Sequence, residues 1–403
     1  MELFWLEHKK LWRKKIVKIC VLLCFVYCVI FGSILSFQWF CFGSSDDYTS
    51  AFGNNFDGYT VIKDSQEYAL SFGGELTDET LQQIVSDYQQ MEADGMEKEL
   101  EKTDWQIVNS WLGTLYPELR DTSNYKTMIS YVDPDKLTGF YERRQQALDE
   151  FLEVSGQVGA EKEFLHQIER KVEKPFRYEW VEGWSTLLGS MVADLGVVMA
   201  LFLGIVLSSL FAGEWHDNTS TLVLTTRNGW GKIALAKILT GLAFTVELFA
   251  LLAVSNVISQ LFFMGTAGWD MPIQNIKLIA VAPMNMLQAE IYEYAFVLLG
   301  AIGFAGIVMF ISAAVKNNVL TLLLSLAVVY GPMMIAEYLP YEMQKALDLI
   351  PLVGSSTDIF RTNTFRILGK LIWSPYLLIT IPVLIGILCM PFAIKSWSRR
   401  MKA

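Results

Sequence analysis

The sequence predicts an all-α polytopic membrane protein: six transmembrane helices, with a mainly helical (α+β) extracellular domain inserted between the first two. Two observations predict this. Hydrophobic residues make up 53% of the 403 and aromatic residues 13%, with positive mean hydropathy, which is more apolar than a soluble chain of this length needs to be. The charge is also partitioned: residues 41–186 hold 29 acids against 13 bases, and the remainder holds 13 against 19. The formal net charge of -10 is therefore the sum of an acidic soluble insert and a mildly basic membrane part.

Residues 1–15, MELFWLEHKKLWRKK, place Phe4, Trp5, Leu11 and Trp12 at helical spacing among Lys9, Lys10, Arg13, Lys14 and Lys15. That pattern fits an amphipathic helix in the membrane interface; the plainer reading is a basic flank that fixes orientation. Residues 16–40 form the first span, and the basic residues before its core put the N-terminus in the cytoplasm. The apolar run is longer than the core of a signal peptide and lacks a small-x-small cleavage site, so it reads as a span. Cys20, Cys24 and Cys28 share one face of it and read as small apolar groups rather than as a redox or metal site.

The insert, residues 41–184, is long enough to be a domain. Tyr59–Lys63 and Tyr68–Phe72 are strand candidates near the membrane. Thr77 is an N-cap candidate, followed by Leu81, Ile84, Val85 and Tyr88 at helical spacing, and Tyr141–Val154 and Glu161–Lys174 are two further helix candidates, the last ending at Pro175. No cysteine follows Cys41 within the insert, so it folds without an internal disulfide. Its charges are spread along helices and lack metal-ligand spacing.

Residues 185–212 are the second span, 213–232 a cytoplasmic loop and 233–264 the third span; Arg227, Lys232 and Lys237 agree with a cytoplasmic loop. Gly196, Ala200, Gly204, Ser208 and Ala212 recur every fourth residue and form one stripe of small side chains, a helix-packing face. Glu247 lies near the middle of the third span, where a carboxylate costs on the order of 3 kcal/mol and must face the bundle interior or a wet cavity, or be protonated. Glu247 and Asp194 are candidates for holding a cationic substrate or relaying a proton; a structural hydrogen bond, to Ser255, Asn256 or a neighbouring helix, serves equally well. Residues 265–290 return outside, 291–314 and 319–337 are the fourth and fifth spans around a tight turn at Lys316–Asn318, and Pro332 should kink the fifth. Residues 338–375 form an extracellular loop with short or re-entrant helices, 376–394 the sixth span and 395–403 a basic cytoplasmic tail.

Several function classes are excluded. The chain holds no G-x-x-x-x-G-K-[ST], G-x-S-x-G or H-E-x-x-H, and its three histidines, His8, His166 and His216, are far apart. It is expected not to be an enzyme, to hold no metal or other cofactor itself, and to bind no nucleic acid, since its basic residues flank spans rather than interleave with aromatics on a soluble face.

The most specific signal closes the second span. Phe211, Ala212, Gly213 and Glu214 end the helix, Thr219 follows, Leu222 to Thr226 form an apolar and hydroxyl run, and Arg227 to Lys237 open the next helix. This resembles the cytoplasmic loop of the ABC-2 type permeases, the transmembrane subunits of type V ATP-binding-cassette exporters, some of which carry a large ectodomain between their first two spans. The likeness covers roughly residues 185–265; Trp215 to Asn218 and Thr226 to Asn228 depart from the family's usual basic, glycine and proline residues. The resemblance implies a second permease subunit, identical or related, and cytoplasmic ATPase subunits that hold ATP and Mg. It also implies a coupling surface of Glu214, Thr219, Leu222, Arg227 and Lys237; for Glu214 a helix-end carboxylate paired with Arg227 or Lys237 is the alternative. The cargo implied is an amphipathic peptide, lipid or hydrophobic drug, moved outward across a bacterial cell membrane. Asp194, Met199, Phe202, Phe211 and Glu247 are candidates for its path, although a lipid-facing position or core packing explains the apolar ones better. Two other classes stay open: a non-transporting mechanotransmission protein, usually of four spans, and a sensor or immunity protein that acts through its ectodomain.

Overall fold

A computed structural model describes residues 2–42, 73–96, 105–121, 126–188, 192–216, 231–354 and 362–399, together with residues 62, 63, 66, 67, 69 and 360. The described chain is mostly helical. Five of its helical stretches are long and apolar enough to cross a membrane: Leu195–Trp215, Lys232–Met264, Met286–Ala314, Asn318–Tyr338 and Ser374–Ser398. The chain is thus a multi-pass membrane protein.

The N-terminal segment forms α1 (Glu2–Arg13), followed by α2 (Lys15–Phe42). The insert is built on α3 (Asp78–Ala93), α4 (Trp105–Leu115), α5 (Phe140–Val154) and α6 (Ala160–Glu169). The Thr77 hydroxyl accepts the Thr80 amide at 3.3 Å to cap α3, and the Asp78 carboxylate accepts the Gly139 and Phe140 amides at 2.7 and 2.8 Å at the start of α5. Leu81, Ile84, Val85 and Tyr88 of α3 pack on Val108, Trp111, Leu112 and Leu115 of α4 in one core. The strand candidates Tyr59–Lys63 and Tyr68–Phe72 are corrected where they are described: residues 62, 63 and 69 are helical. Ile62 and Ala69 are buried in a cluster with Trp180 and Met264. The sheet instead joins β1 (Gly74–Glu75) to β2 (Arg177–Tyr178), antiparallel, which closes the insert where its helical body begins and ends.

After α7 (Glu182–Thr186) come α8 (Val192–His216), α9 (Lys232–Met264), α10 (Met286–Ala314), α11 (Asn318–Ile335, with Pro332 inside it), α12 (Tyr341–Leu347) and α13 (Ser374–Arg399). Residues 182–188 are helical and Val192–His216 form α8; Trp184, Leu187 and Leu188 pack in a separate cluster with Met271, Ile273 and Ala280–Ala282 of the connection before α10. α10 starts at Met286, five residues before the expected span, because Asn285 and Gln288 form a reciprocal capping box. No re-entrant helix is found among the described residues of 338–375. Thr364–Ile367 and Lys370–Trp373 pair as an antiparallel hairpin, β3 and β4, turned by Leu368 and Gly369 with φ of 50° and 80°. Two successive residues with positive φ are what a tight two-residue hairpin turn requires.

α10 is the axis of the bundle. It touches α13 most closely, and glycine makes that approach possible: a Cβ on Gly303 would lie 2.3 Å from the Pro382 carbonyl, and one on Gly306 would lie 2.4 Å from that of Gly386. α8 packs on its other side. All five residues of the small stripe are buried. Gly204 faces Leu322 and Leu326 of α11, Gly196 approaches Leu352, and the Ser312 hydroxyl of α10 donates to the Ser208 carbonyl at 2.7 Å while accepting the amides of Phe211 and Ala212.

The insert is clamped onto the segments that precede α10 and α13. Trp111 donates to the Asn275 carbonyl at 3.1 Å, Asn275 to the Arg177 carbonyl at 3.0 Å, and Thr364 to Gln157 at 2.9 Å. Arg144, 1% exposed, donates to the carbonyls of Leu278 and Ala280 and pairs with Glu169 at 2.5 Å, while Lys174 reaches the same carboxylate at 2.7 Å. Burial works against the Glu169 charge, but Lys174 and Arg144 outweigh it and hold the carboxyl below its ordinary range.

Two outcomes are expected of the full chain in detergent. Arg144→Leu should cost about 3 kcal/mol, because Glu169 and two carbonyls stay buried with a partner removed. A carboxyl whose folded pKa is depressed stabilises above its unfolded pKa and loses that contribution as pH falls through the folded value, so the variant, in which Glu169 keeps only Lys174 and the depression shrinks, should lose less thermal stability on acidification than the native chain does. Gly306→Val should lower stability by ~2 kcal/mol or more through forced separation of α10 and α13; unchanged melting would refute the close crossing.

Candidate functional site

Two of the coupling residues read from the sequence, Glu214 and Lys237, meet at one end of the bundle. Glu7, Lys10 and Leu11 of α1 and Lys14 just after it recur at three- and four-residue spacing, while His8 and Trp12 line the adjacent face of α1. Leu11, 2% exposed, inserts into the membrane core cluster and brings that charged face against α8 and α9. Glu214, in the last turn of α8, and Lys237, in the second turn of α9, are 4% and 1% exposed and pair at 2.8 Å. Lys10 reaches the same Glu214 oxygen at 2.6 Å, Lys237 also pairs with Glu7 at 2.8 Å, and Lys14 donates to Ser209 at 3.0 Å.

Burying Glu214 and Lys237 is costly unless each is paired and hydrogen-bonded. Here the Lys237 ammonium spends two of its donors on carboxylates from two different elements, and Glu214 receives two cations. The space left among Glu7, Lys10, Lys14, Ser209, Glu214 and Lys237 amounts to about 20 Å³, enough for a single water and far too small for a cargo. The site is a joint between helices.

The same end gathers two more helices. Trp397 of α13, fully buried, meets Phe211 and Trp215 of α8 with ring centroids 5.5 and 6.2 Å apart, and the Lys316 ammonium after α10 sits 4.5 Å over the Trp215 ring. Phe211 is thereby a core residue.

Glu247 takes the second reading the sequence offered, a structural hydrogen bond to a neighbouring helix. Its carboxylate accepts the Trp12 indole at 3.0 Å and lies 3.2 Å from His8, both on α1, and its side chain is 43% exposed. Ser255 instead donates to the Leu252 carbonyl and Asn256 to the Tyr294 hydroxyl. α9 has 33 residues and so spans roughly 50 Å, against a hydrocarbon core of about 30 Å. α1 thus supplies polar partners along the first half of α9.

Of the other candidates, Met199 is fully buried in the core, Phe202 is half-buried against it, and the Asp194 side chain lies outside the described residues, as do Thr219, Leu222 and Arg227. The sequence reading missed Glu7, Lys10, His8 and Trp12 as partners. Their signal was the spacing of charges around Leu11, which fits a lipid headgroup surface as well as a protein face. At the opposite end, a polar recess of about 330 Å³ opens between Lys171–Arg177 and a wall of Asp270, Gln274, Asn285 and Gln288. Comparison of the chain with protein-family models, with curated proteins and with solved structures finds no match in any of the three.

The joint fixes an order of effects. Lys237→Met removes the ion partner of Glu7 and one of two from Glu214, and should cost ~3 kcal/mol or more; Lys10→Met, at a half-exposed position, should cost about 1 kcal/mol or less. Thermal unfolding of the two variants side by side checks the ranking, and equal losses would contradict it.

Proposed function

We propose that this chain is the permease subunit of an ATP-binding-cassette exporter, of the ABC-2 type, in which separate cytoplasmic ATPase subunits hydrolyse ATP and the membrane helices move an amphipathic peptide, lipid or hydrophobic drug outward. The observation that carries the proposal is the joint at Glu214 and Lys237. The segment 217–230, whose residues resemble the family's cytoplasmic loop, leaves α8 just after Glu214 and enters α9 just before Lys237, and α1 is ion-paired to both residues. A partner that pulls on that segment or on α1 therefore acts on two membrane helices at once.

In this reading α2 is the first of six spans, the insert faces outward, and both termini and the joint face the cytoplasm. The 28 residues of α2 are enough to cross. Five further candidate spans already exceed the four usual for a mechanotransmission protein, which favours the exporter over that alternative. A second permease subunit completes the path, and the ATPases work by binding one arrangement of the bundles better than the other, since only differential affinity shifts a conformational population.

The test is extraction of the native chain under mild conditions, with ATPase activity measured on what it retains, beside a variant carrying Glu214→Ala and Arg227→Ala. An ATPase should copurify with the native chain, and the double variant should release it or uncouple its activity from cargo. A native chain that never retains an ATPase would end the transport proposal in favour of a ligand sensor acting through the insert.

A further inference from the structure

At the opposite end of the bundle from the joint, α10 buries two carboxylates. Glu290 and Glu293 are 4% and 0% exposed, and no basic side chain among the described residues is ion-paired with either. Three residues apart on a helix, they lie on neighbouring positions of one face. Met286, Ala289, Phe296 and Val297, each 4% exposed or less, close the surroundings to solvent.

A second helix aims an unfilled polar group at the same place. Asn256 of α9, 3% exposed, donates its amide to the Tyr294 hydroxyl at 3.2 Å, and Tyr294 stands beside Glu290, one turn along. The Asn256 carbonyl oxygen accepts nothing. Acceptors outnumber donors here: four carboxylate oxygens and one amide oxygen stand against the Tyr294 hydroxyl beside Glu290. The missing partner must be a donor.

Among the described residues, the neighbouring elements provide no cation to balance the pair. Residues 248–264 of α9 contain no Asp, Glu, Lys, Arg or His, and the first half of α13 contains only Tyr376 as an ionisable group, itself exposed. In the connection before α10, Asp270 is paired with Arg177 and Lys277 lies over the Phe151 ring. In α12, Lys345 pairs with Glu342. Glu182 of α7 adds only a further acid, and Asp194 of α8 contributes no described side chain.

Two carboxylates side by side in a dry interior cannot both remain charged without a counter-ion. We propose that Glu290 and Glu293 form a proton-binding site, in which at least one carboxyl is protonated while α9 and α10 are packed at this end. The added O–H supplies the missing donor, to the other carboxylate or to the Asn256 oxygen, and needs no extra volume. Opening this end would let water replace that proton, so separation of α9 from α10 releases a proton and is favoured as the proton concentration falls. The inference stands on the geometry alone and holds whether or not the chain is an exporter.

The test is infrared difference spectroscopy of the purified full chain in nanodiscs at neutral pH, native minus Glu290→Gln/Glu293→Gln. Glutamine has the shape of the protonated acid and no charge, so the variant should fold. The native chain should show a protonated carboxylic carbonyl band that shifts in D₂O and is lost in the variant. Asn256→Leu, which keeps both acids, should move that band to the position of a weaker hydrogen bond, and it serves as the second probe if the double variant fails to fold. Absence of any such band in the native chain overturns the proposal. So does the finding that Na⁺, K⁺, Mg²⁺ or Ca²⁺ raises the thermal stability of the native chain but not of the variant, which would make the pair a metal-ion site.

Discussion

The Lys237 ammonium is the point on which the cytoplasm-directed half of the proposed arrangement depends. It is buried, and it is tolerable there only because Glu214 of α8 and Glu7 of α1 close on it from two directions. That requirement fixes three things together: the end of α8, the start of α9 and the position of α1. Leu11 adds apolar contact between α1 and the bundle, and Trp12 continues the contact along α9 to Phe244, with ring centroids 5.7 Å apart. An N-terminal helix that might have floated on lipid is thereby a part of the folded body.

The far half of the bundle rests on different physics. α10 and α13 approach at glycines that leave no room for a Cβ, so dispersion and backbone proximity hold them where the hydrophobic effect gives little preference for helix over lipid. The insert is fastened above them by hydrogen bonds to backbone carbonyls of the connecting segments, with Arg144 serving two carbonyls and a carboxylate at once. Movement of the insert relative to α10 or α13 would have to break or carry those bonds. The insert and the bundle are therefore mechanically linked through the chain segments that start those two helices.

Much of this was legible because membrane helices announce themselves by composition. The apolar runs located α9 within a residue of its observed start, and the four-residue recurrence of Gly196, Ala200, Gly204, Ser208 and Ala212 marked a buried face of α8. α4 escaped notice because Trp105, Val108, Trp111, Leu112 and Leu115 form a helical stripe without a strong start signal. The hairpin at Thr364–Trp373 escaped because its apolar residues on both strands resemble a dipping membrane segment, and only the Leu368–Gly369 turn distinguishes it. At the joint, Glu214 and Lys237 were found through their loop, whereas Glu7 and Lys10 lie more than 200 residues away in sequence. No local pattern encodes a pairing at that distance. The partners of Glu247 were illegible for the same reason, since Trp12 and His8 lie more than 230 residues away.

The most direct test of the arrangement is sidedness. In a chain freed of its native cysteines, single cysteines at Lys9, Glu142, Lys232 and Leu368 can be challenged in intact cells with a membrane-impermeant thiol reagent. Glu142→Cys in the insert and Leu368→Cys at the exposed hairpin tip should react at once. Lys9→Cys and Lys232→Cys, beside the joint, should react only after the membrane is permeabilised. Reaction of Lys9→Cys and Glu142→Cys from the same side would mean that α2 does not cross, and would contradict the six-span arrangement that sets the joint and the insert on opposite faces of the membrane.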